Sequence, residues 1–416
     1  MALKGACIFG QSGGPTSVIN ASAYGVFSEA LKNPNITQVL GAAHGIKGVL
    51  NDQLFDMSKE DPRELELLKN TPSSALGSCR YKLKDPSVDD TDYKRILEIF
   101  KKYNVRYFFY NGGNDSMDTC NKVSKYLLSQ GYECNVIGVP KTIDNDLFGT
   151  DHCPGFGSAA KYIATTCAEI YRDATVYDTG AITVIEAMGR NAGWLTAAAS
   201  LAEVSGCGPD LIYLPELPFD LEAFLAKVKA VYEEKGNCVV VISEGIKDKD
   251  GVFIAEYANK DAKADAFGHK QMGGSAAYLA NAVKEATGAK VRAIEYSLMQ
   301  RCAAHCASKT DVDEAVLMGA EAVRAATSGI TDKMVAIKRA DSEGYKAEIQ
   351  LLDLTVVANT EKKFPLEWIT EDGTGIKKEF FDYALPLIAG ENPYAWEQGL
   401  PRFANLKKVL AEPLAE

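Results

Sequence analysis

The feature that most constrains the fold of this chain is its alternation of short apolar runs with longer helical patterns. Six apolar runs are strand candidates: Gly5–Phe9, Arg106–Tyr110, Asn135–Val139, Ala181–Glu186, Leu211–Leu214 and Cys238–Ile242. Eight segments have helical periodicity: Val18–Leu31, Asp92–Tyr103, Met117–Ser129, Ser158–Arg172, Ala192–Ala202, Leu221–Lys235, Ser275–Ala286 and Val312–Thr327. Because apolar strands that alternate with helices are typical of parallel sheets, the sequence predicts a doubly wound α/β fold.

The length of 416 residues exceeds what one hydrophobic core usually supports, so we predict two doubly wound domains with mostly parallel sheets. Glycines and a proline at 149–157 indicate the boundary, and a return to the first domain is expected near Gln300. The first domain is thus predicted at 1–155 with about 300–330, and the second at 156–299. Segment 331–416 is predicted to complete the second domain in part and to form a peripheral extension in part.

Composition and charge exclude several classes of protein. The net charge of -11 argues against a surface that binds nucleic acid or an anionic membrane. The sequence has neither a long uncharged run nor a signal pattern, so we expect a cytoplasmic protein. The ten cysteines are widely spread and are expected to be reduced. Cys302 and Cys306, with His305 between them, lack a second ligand pair at zinc-finger spacing, so packing is favoured over a metal site.

A polar loop, Gly112-Gly113-Asn114-Asp115, directly follows the second apolar run. Its glycines, amide and carboxylate suit a hydrated Mg²⁺ beside a bound phosphate. A plain surface turn explains this loop equally well when it is considered alone.

A second polar loop, Lys141–Asp146, follows the third apolar run. Open α/β sheets bind ligands at the carboxyl ends of their strands, so both loops are expected at one site. Asp144 is a candidate to accept a hydroxyl proton, and Lys141 to neutralise charge on a transferring phosphoryl group. A polar turn with a local ion pair is the alternative, although folding alone does not require such a density of charge.

Further phosphate-binding candidates are a glycine turn and four arginines. Gly13 and Gly14 follow the first apolar run, where backbone amides and a helix N-terminus can receive an anion. This turn matches neither common glycine-rich phosphate motif, and a structural turn is at least as plausible. Arginine presents a planar fork suited to phosphate, although each one alone is more often an ion-pair residue. The arginines concerned are Arg80, Arg190, Arg292 and Arg301.

Taken together, these residues resemble the phosphofructokinase family, and more closely its pyrophosphate-dependent branch. The resemblance covers about residues 4–335, and its motifs occur in the family's order: GQSGGPTSVIN, GSCRY, NGGNDS, PKTIDND, GTDHCPGFGSA, IEAMGR, SEG and LMQR. It implies that the first domain binds the phosphoryl donor and the second binds the sugar phosphate.

The resemblance implies roles for individual residues. Asp144 would be the base for the 1-hydroxyl of fructose 6-phosphate, and Asp146, Lys141 and Arg190 would support the transition state. Donor contacts would come from Gly13, Arg80, Asp115 and Lys141. The sugar phosphate would be held by Thr142, Ile143, Asp144, Met188, Gly189, Arg190, Glu244, Arg292 and Arg301. Mg²⁺ would be held by Asn114 and Asp115, with Asn114 standing where the family usually has an aspartate.

Asp115 and Lys141 bear on the identity of the donor. ATP-dependent members resemble this chain but have glycine at both positions, which leaves room for the rest of a nucleotide. A carboxylate at 115 would repel ATP, and Lys141 would bind pyrophosphate, so the resemblance implies pyrophosphate as donor. Some ATP-dependent relatives carry lysine at position 141, so Asp115 is given more weight. The alternatives are an ATP-dependent 6-phosphofructokinase, a non-catalytic regulatory subunit and a more distant NAD or lipid kinase.

Two departures concern the contact between subunits. Ala181 and Leu298 stand where ATP-dependent bacterial members have an intersubunit arginine and a histidine, so recognition of the 6-phosphate is expected to differ. Arg292 matches the other intersubunit arginine, and we therefore expect a homodimer or homotetramer.

Overall fold

The computed structural model describes residues 3–258, 274–358 and 360–414. Within these ranges the strands are β1 Gly5–Gln11, β2 Ile36–Ala42, β3 Leu54–Asp56, β4 Val105–Gly112, β5 Asn135–Pro140, β6 Ala181–Ala187, β7 Leu211–Tyr213, β8 Asn237–Ser243, β9 Val291–Glu295, β10 Lys333–Arg339, β11 Ala347–Asp353, β12 Trp396–Glu397 and β13 Leu400–Pro401. Each apolar run predicted as a strand forms one, and its ends differ from the prediction by no more than two residues.

The α-helices in the same ranges are α1 Ile19–Ala30, α2 Ile46–Leu50, α3 Pro62–Leu67, α4 Thr91–Lys102, α5 Asn114–Ser129, α6 Phe156–Ala174, α7 Trp194–Ala198, α8 Leu221–Lys235, α9 Ile254–Ala258, α10 Ser275–Thr287, α11 Met299–Cys302, α12 Lys309–Thr327, α13 Leu354–Val357 and α14 Lys378–Ala384. Short 3₁₀ helices include Ala199–Ser205, which continues α7 and completes the helical pattern predicted at 192–202. No helix in the described ranges is long and apolar enough to cross a membrane. All ten cysteines are free thiols, as expected.

Two sheets organise the chain. The first has the order β11-β10-β5-β4-β1-β2-β3, and only its edge strands β3 and β11 pair antiparallel. Every residue of β1 is buried, because apolar clusters lie against both faces of this sheet. The second sheet, β7-β8-β6-β9, is parallel throughout. The prediction of an α/β fold with mostly parallel sheets is confirmed.

Helix α12 returns to the first sheet after the second is complete, and it packs against α1. A Cβ on Gly25 would lie 2.1 Å from the Val316 carbonyl oxygen, and a Cβ on Gly319 would lie 2.2 Å from that of Ser22. Glycine is needed at these two positions, because any side chain would push the helices apart. The predicted domain boundaries themselves stay a prediction.

Segment 331–416 contributes more to the interior than a peripheral extension would. Strands β10 and β11 belong to this segment, yet they lie in the first sheet. Phe364, Phe380 and Leu387 then pack in the apolar cluster beside the second sheet. The sequence pattern did not predict β10 because its apolar centre is short and lies between the charged Lys333 and Arg339.

Candidate active site

The loops that follow β1, β4 and β5 meet at one edge of the first sheet. Strand β4 lies between β1 and β5, and all three run parallel. The amide of Lys141 donates to the carbonyl oxygen of Gly112 at 3.0 Å, which joins the loop after β5 to the loop after β4. The side chain of Asn111 donates to the carbonyl oxygen of Val139 at 3.1 Å. The loops predicted to converge therefore do so.

Lys141 is a buried cation that lies on the glycine turn after β1. Its ammonium donates to the carbonyl oxygen of Gly14 at 2.6 Å, and a Cβ on Gly13 would lie 3.4 Å from the same nitrogen. Gly13 has a φ of +76°, a conformation that favours glycine. Burial lowers the pKa of Lys141 to about 8, although the carboxylates of Asp144 and Asp146 oppose this effect. The ammonium is thus a poorly solvated donor beside the predicted phosphate-binding turn.

Asp144 and Asp146 are partly buried carboxyl groups on either side of Asn145. Burial, together with the nearby Asp146 and Glu244, raises the pKa of Asp144 to about 7. Burial also raises the pKa of Asp146. Asn145 has a φ of +56°, in the left-handed region, and its side-chain oxygen accepts a hydrogen bond from the Cys153 amide at 3.0 Å. Both carboxyl groups are therefore carried by a turn that is itself held in place.

The second sheet contributes the loops that follow β6 and β8. Gly245 lies against the first of them, since a Cβ there would be 2.0 Å from the carbonyl oxygen of Arg190. Gly189 has a φ of +122°, which side chains disfavour. Burial raises the pKa of Glu244, while the nearby Arg190 guanidinium lowers it. Met188–Arg190 and Glu244, predicted from distant motifs, therefore lie together.

Arg301, in α11, connects the loops of the two sheets. A Cβ on Gly14 would lie 2.9 Å from its guanidinium group. Burial and the nearby Arg80 lower the pKa of Arg301, while Asp144 and Glu244 raise it. Charged groups from both sheets are therefore close enough to influence one another.

An open pocket of about 420 Å³ begins beside the glycine turn, and the exposed Arg80 lines it. Ser78 lines the same pocket and donates its hydroxyl to the carbonyl oxygen of Gly13 at 2.6 Å. Lys47 is a further cation in the lining. The pocket is thus a basic extension of the predicted donor site.

Asn114 and Asp115 differ in exposure although both lie in the first turn of α5. The side-chain oxygen of Asn114 is buried and has no hydrogen-bond partner. The side chain of Asp115 is 57% exposed, and its carboxylate lies 3.8 Å from the Lys82 ammonium. Within the described ranges, no group of three or more His, Cys, Asp or Glu residues is arranged to hold a metal ion. A metal here would therefore depend largely on oxygens of the bound phosphates.

Three predicted substrate-binding residues have other surroundings. The hydroxyl of Thr142 accepts a hydrogen bond from the Asp144 amide at 3.1 Å, so it shapes the loop. Ile143 is 6% exposed and packs in the apolar cluster beside the second sheet. Arg292, in β9, forms an ion pair of 2.8 Å with Asp173, and the contacts of the described residues do not join it to the loops above.

Residues 361–363 contact the site, although no sequence pattern predicted it. The amide of Lys362 donates to the carbonyl oxygen of Asp146 at 2.8 Å. The Lys362 ammonium points inward and donates to the carbonyl oxygen of Asp151 at 2.7 Å. The run Glu361-Lys362-Lys363 has the polarity of an exposed linker, so no sequence signal distinguishes its inward-pointing lysine.

Comparisons with known proteins agree with this arrangement. A family model described as Phosphofructokinase matches residues 7–326. A pyrophosphate--fructose 6-phosphate 1-phosphotransferase of Xanthomonas campestris is 47% identical over 413 residues, which cover 98% of this chain and 97% of the relative. A protein of the same name from Halomonas elongata is 46% identical over 408 residues, which cover 97% and 96%. The crystal structure of a pyrophosphate-dependent phosphofructokinase from Marinobacter aquaeolei matches with a TM-score of 0.88 and 41% identity, covering 100% of this chain and 99% of that chain.

The family match spans most of the chain and includes α11 and the loops that follow β1, β4, β5, β6 and β8. The resemblance drawn from the sequence motifs is thereby confirmed, and the chain belongs to the phosphofructokinase family.

Proposed function

We propose that this chain transfers a phosphoryl group reversibly from pyrophosphate to the 1-hydroxyl of fructose 6-phosphate, giving fructose 1,6-bisphosphate and orthophosphate. The observation that carries the proposal is the proximity of a buried ammonium with a pKa of about 8 to a carboxyl group with a pKa of about 7. Groups whose pKa values are shifted toward 7 suit proton transfer and charge neutralisation near neutral pH. The names of relatives that share almost half of the sequence support the same reaction.

Asp144 accepts the proton of the 1-hydroxyl while the hydroxyl oxygen attacks the nearer phosphorus of pyrophosphate. The new oxygen–phosphorus bond forms, the bridging phosphorus–oxygen bond breaks, and orthophosphate leaves with the electron pair. With a pKa of about 7, Asp144 is substantially ionised at neutral pH and is also a stronger base than an ordinary aspartate. Asp146 contributes through its charge, since it is among the groups that raise the pKa of Asp144.

Lys141 neutralises the negative charge on the oxygens of the transferring group, and Arg190 acts on the same charge. The Gly13 backbone and Arg80 hold the donor. The sugar phosphate is held by residues from the second sheet and from α11, namely Met188, Gly189, Glu244 and Arg301, while Thr142 shapes the loop after β5.

Enzymes of this family are phosphoryl transferases that generally need a divalent metal, and we propose Mg²⁺ as that metal. Asn114 fits this role because its buried side-chain oxygen lacks a hydrogen-bond partner, and Asp115 follows it on the same helical turn. Mg²⁺ commonly takes one or two protein ligands and completes its shell with water and phosphate oxygens. When bound, the ion would offset negative charge on the phosphates.

Lys141 supports pyrophosphate as donor more strongly than Asp115 does. The Asp115 carboxylate is exposed and lies near Lys82, so water and counter-charge weaken the repulsion that it would exert on a nucleotide. Lys141 is 4% exposed and occupies space against the glycine turn, where a smaller residue would leave room. The sequence favours Asp115 as the indicator of the donor, whereas burial makes Lys141 the stronger one.

Steady-state assays with pyrophosphate and with ATP test the proposal directly. We expect fructose 1,6-bisphosphate to form with pyrophosphate, and pyrophosphate to form from fructose 1,6-bisphosphate and orthophosphate in reverse. Activity with ATP alone would identify the ATP-dependent alternative. Activity with neither donor would favour the regulatory subunit, although that alternative leaves the shifted pKa values of Lys141 and Asp144 without a purpose.

We also propose that the active form is a homodimer or homotetramer. The half-exposed Arg292 lies on β9, an edge strand of the second sheet, where another copy of the chain can reach it. Cytoplasmic location stays a prediction from the sequence.

A further inference from the structure

Lys362 lies outside the predicted site, yet its ammonium points toward the loop that carries Asp144 and Asp146. It donates to three oxygens: the Asp151 carbonyl at 2.7 Å, the Thr150 carbonyl at 3.2 Å and the Asn145 side chain at 3.3 Å. The ammonium also lies 5.0 Å from the centre of the Trp194 ring, which adds a cation–π contact. All three of its hydrogen-bond donors are thus used, and none is directed at a carboxylate.

The chain around Lys362 touches both loops to which catalytic roles are proposed. The Lys362 amide donates to the Asp146 carbonyl oxygen at 2.8 Å, and Glu361 forms an isolated β-bridge with Leu147. The Glu361 carboxylate accepts a hydrogen bond at 3.1 Å from Asn191, the residue after Arg190. Residues 361–362 therefore connect the turn of Asp144 and Asp146 with the turn of Arg190.

Asn145 is the residue on which this arrangement acts. It separates the two carboxyl groups and has a φ of +56°, in the left-handed region that asparagine adopts more readily than most residues with a side chain. Its side-chain oxygen accepts from Cys153 and Lys362, and its side-chain nitrogen donates to the Tyr383 hydroxyl at 2.8 Å. Tyr383 and Lys362 both belong to the C-terminal segment 331–416, which was predicted to be partly peripheral.

We propose that Lys362 is a positioning residue for phosphoryl transfer, because its ammonium fixes the Asn145 turn and so holds Asp144 and Asp146 in their working orientation. This inference rests on the proposed function. A buried cation is costly to desolvate, and an apolar residue of similar shape would be cheaper if the segment served stability alone. The charge also acts at longer range, because Lys362 and the Asp146 carboxylate attract each other.

The test compares Lys362→Met with the control Lys229→Met, whose side chain lies on α8, is 55% exposed and has no proposed catalytic part. For Lys362→Met we expect kcat to fall at least tenfold while KM for fructose 6-phosphate changes less than about threefold, because small misplacement of reacting groups lowers turnover steeply. Lys229→Met should retain wild-type kcat. Lys362→Arg, which keeps the charge, should recover part of the loss.

The pH dependence of kcat separates positioning from mere support of the fold. The titratable groups that influence Lys362 are Cys153, Asp151 and Asp146, while Asp146 also faces Glu361 and Lys141. The acid limb depends on Asp144 and Asp146 together, because their carboxyl groups influence each other's ionisation. Removal of the cation should move this limb to higher pH, because the ionised Asp146 carboxylate loses a favourable neighbour. A wild-type kcat for Lys362→Met would overturn the proposal. So would an unchanged acid limb in Lys362→Met together with a lower melting temperature.

If Lys362→Met does not fold, Tyr383→Phe tests whether the Asn145 turn positions the two carboxyl groups. This change removes the hydroxyl that accepts from Asn145 but keeps the aromatic packing, so kcat should fall several-fold with little change in KM. Unchanged kcat would overturn the proposal. If the wild-type enzyme proves to use ATP instead of pyrophosphate, the same comparison is made with ATP, so failure of the donor assignment is distinguishable from failure of this inference.

Discussion

Two clusters of charged residues, one in the loop after β5 and one around His152, differ in the effect of their surroundings on ionisation. In the loop after β5, burial moves the pKa of Asp144 up to about 7 and that of Lys141 down to about 8, so both groups are driven toward their neutral forms. Around His152 the shifts run in the opposite direction. Burial raises the pKa of Asp151, but hydrogen bonds from His152 and Arg339 outweigh it and hold the pKa at about 2.

The groups around His152 form hydrogen bonds and ion pairs with one another. One ring nitrogen of His152 lies 2.8 Å from the Asp151 carboxylate and the other lies 2.6 Å from that of Glu314. Burial lowers the pKa of His152, but these two carboxylates outweigh it and the net shift is upward. The hydroxyl of Tyr345 donates to Glu314, and the Arg339 guanidinium lies over the Tyr345 ring. The charged groups around His152 are thus paired with one another, whereas those in the loop after β5 remain available to interact with substrate.

The largest expected effect comes from Asp144→Asn, which removes the proposed base without changing its shape. We expect kcat to fall by about 10²- to 10⁴-fold, the usual range for a general base, with KM for fructose 6-phosphate little changed. Steady-state kinetics measure the fall. The melting temperature should be unchanged or higher, because the fold no longer has to accommodate a poorly solvated carboxylate. An effect on KM alone would contradict the role of Asp144 as base.

Asp151→Asn should lower the stability of the fold and leave kcat per folded molecule largely unchanged, the opposite of what we expect for Asp144→Asn. The substitution removes the carboxylate that pairs with His152 and Arg339 and leaves their charges uncompensated. We therefore expect a loss of about 3 kcal/mol in the free energy of unfolding. Calorimetry or urea unfolding measures it. Asp89→Asn, in an exposed pair with Lys84, is the control and should leave the melting temperature unchanged. Equal stability of Asp151→Asn and the wild type would remove the distinction between the two clusters.

The smallest expected effect is on pH dependence, and its sign differs between the clusters. For catalysis, kcat/KM should rise as Asp144 ionises near pH 7 and fall as Lys141 loses its proton near pH 8, which gives a narrow bell of about tenfold change per pH unit on each side. A broad plateau from pH 5 to 10 would contradict these assignments.

For stability, the pKa of Asp151 is lower in the folded state, so its contribution is present above the ordinary value of 3.8 and is lost as the pH falls toward about 2. The pKa of His152 is higher in the folded state, so its contribution is present below 6.5 and is lost as the pH rises beyond it. The cluster therefore stabilises the fold most between about pH 4 and 6.5, below the expected optimum for catalysis. Melting curves across this range check the difference.

Much of the fold was predictable because its signals are local. The apolar runs that became β1, β4, β5, β6 and β8 are each continuous and end in glycine or polar residues. The edge strands were harder, since β9 is half exposed and mixes charged with apolar residues, and β10 has charged ends. Contacts with neighbouring strands, which no local pattern records, decide these elements.

The sequence by itself determined the family, the parallel α/β architecture and the loops in which Lys141, Asp144 and Asp146 stand, because motifs and strand ends are properties of short segments. Only the tertiary structure decided how those groups behave. The pKa values of Lys141 and Asp144 depend on burial and on Glu244 and Arg301, which folding brings from elsewhere in the chain. Lys362 reaches Asn145 across 217 residues of sequence, and nothing in its own neighbourhood indicates that contact. Desolvation and Coulomb interactions depend on distance in space, and the order of residues alone does not contain that distance.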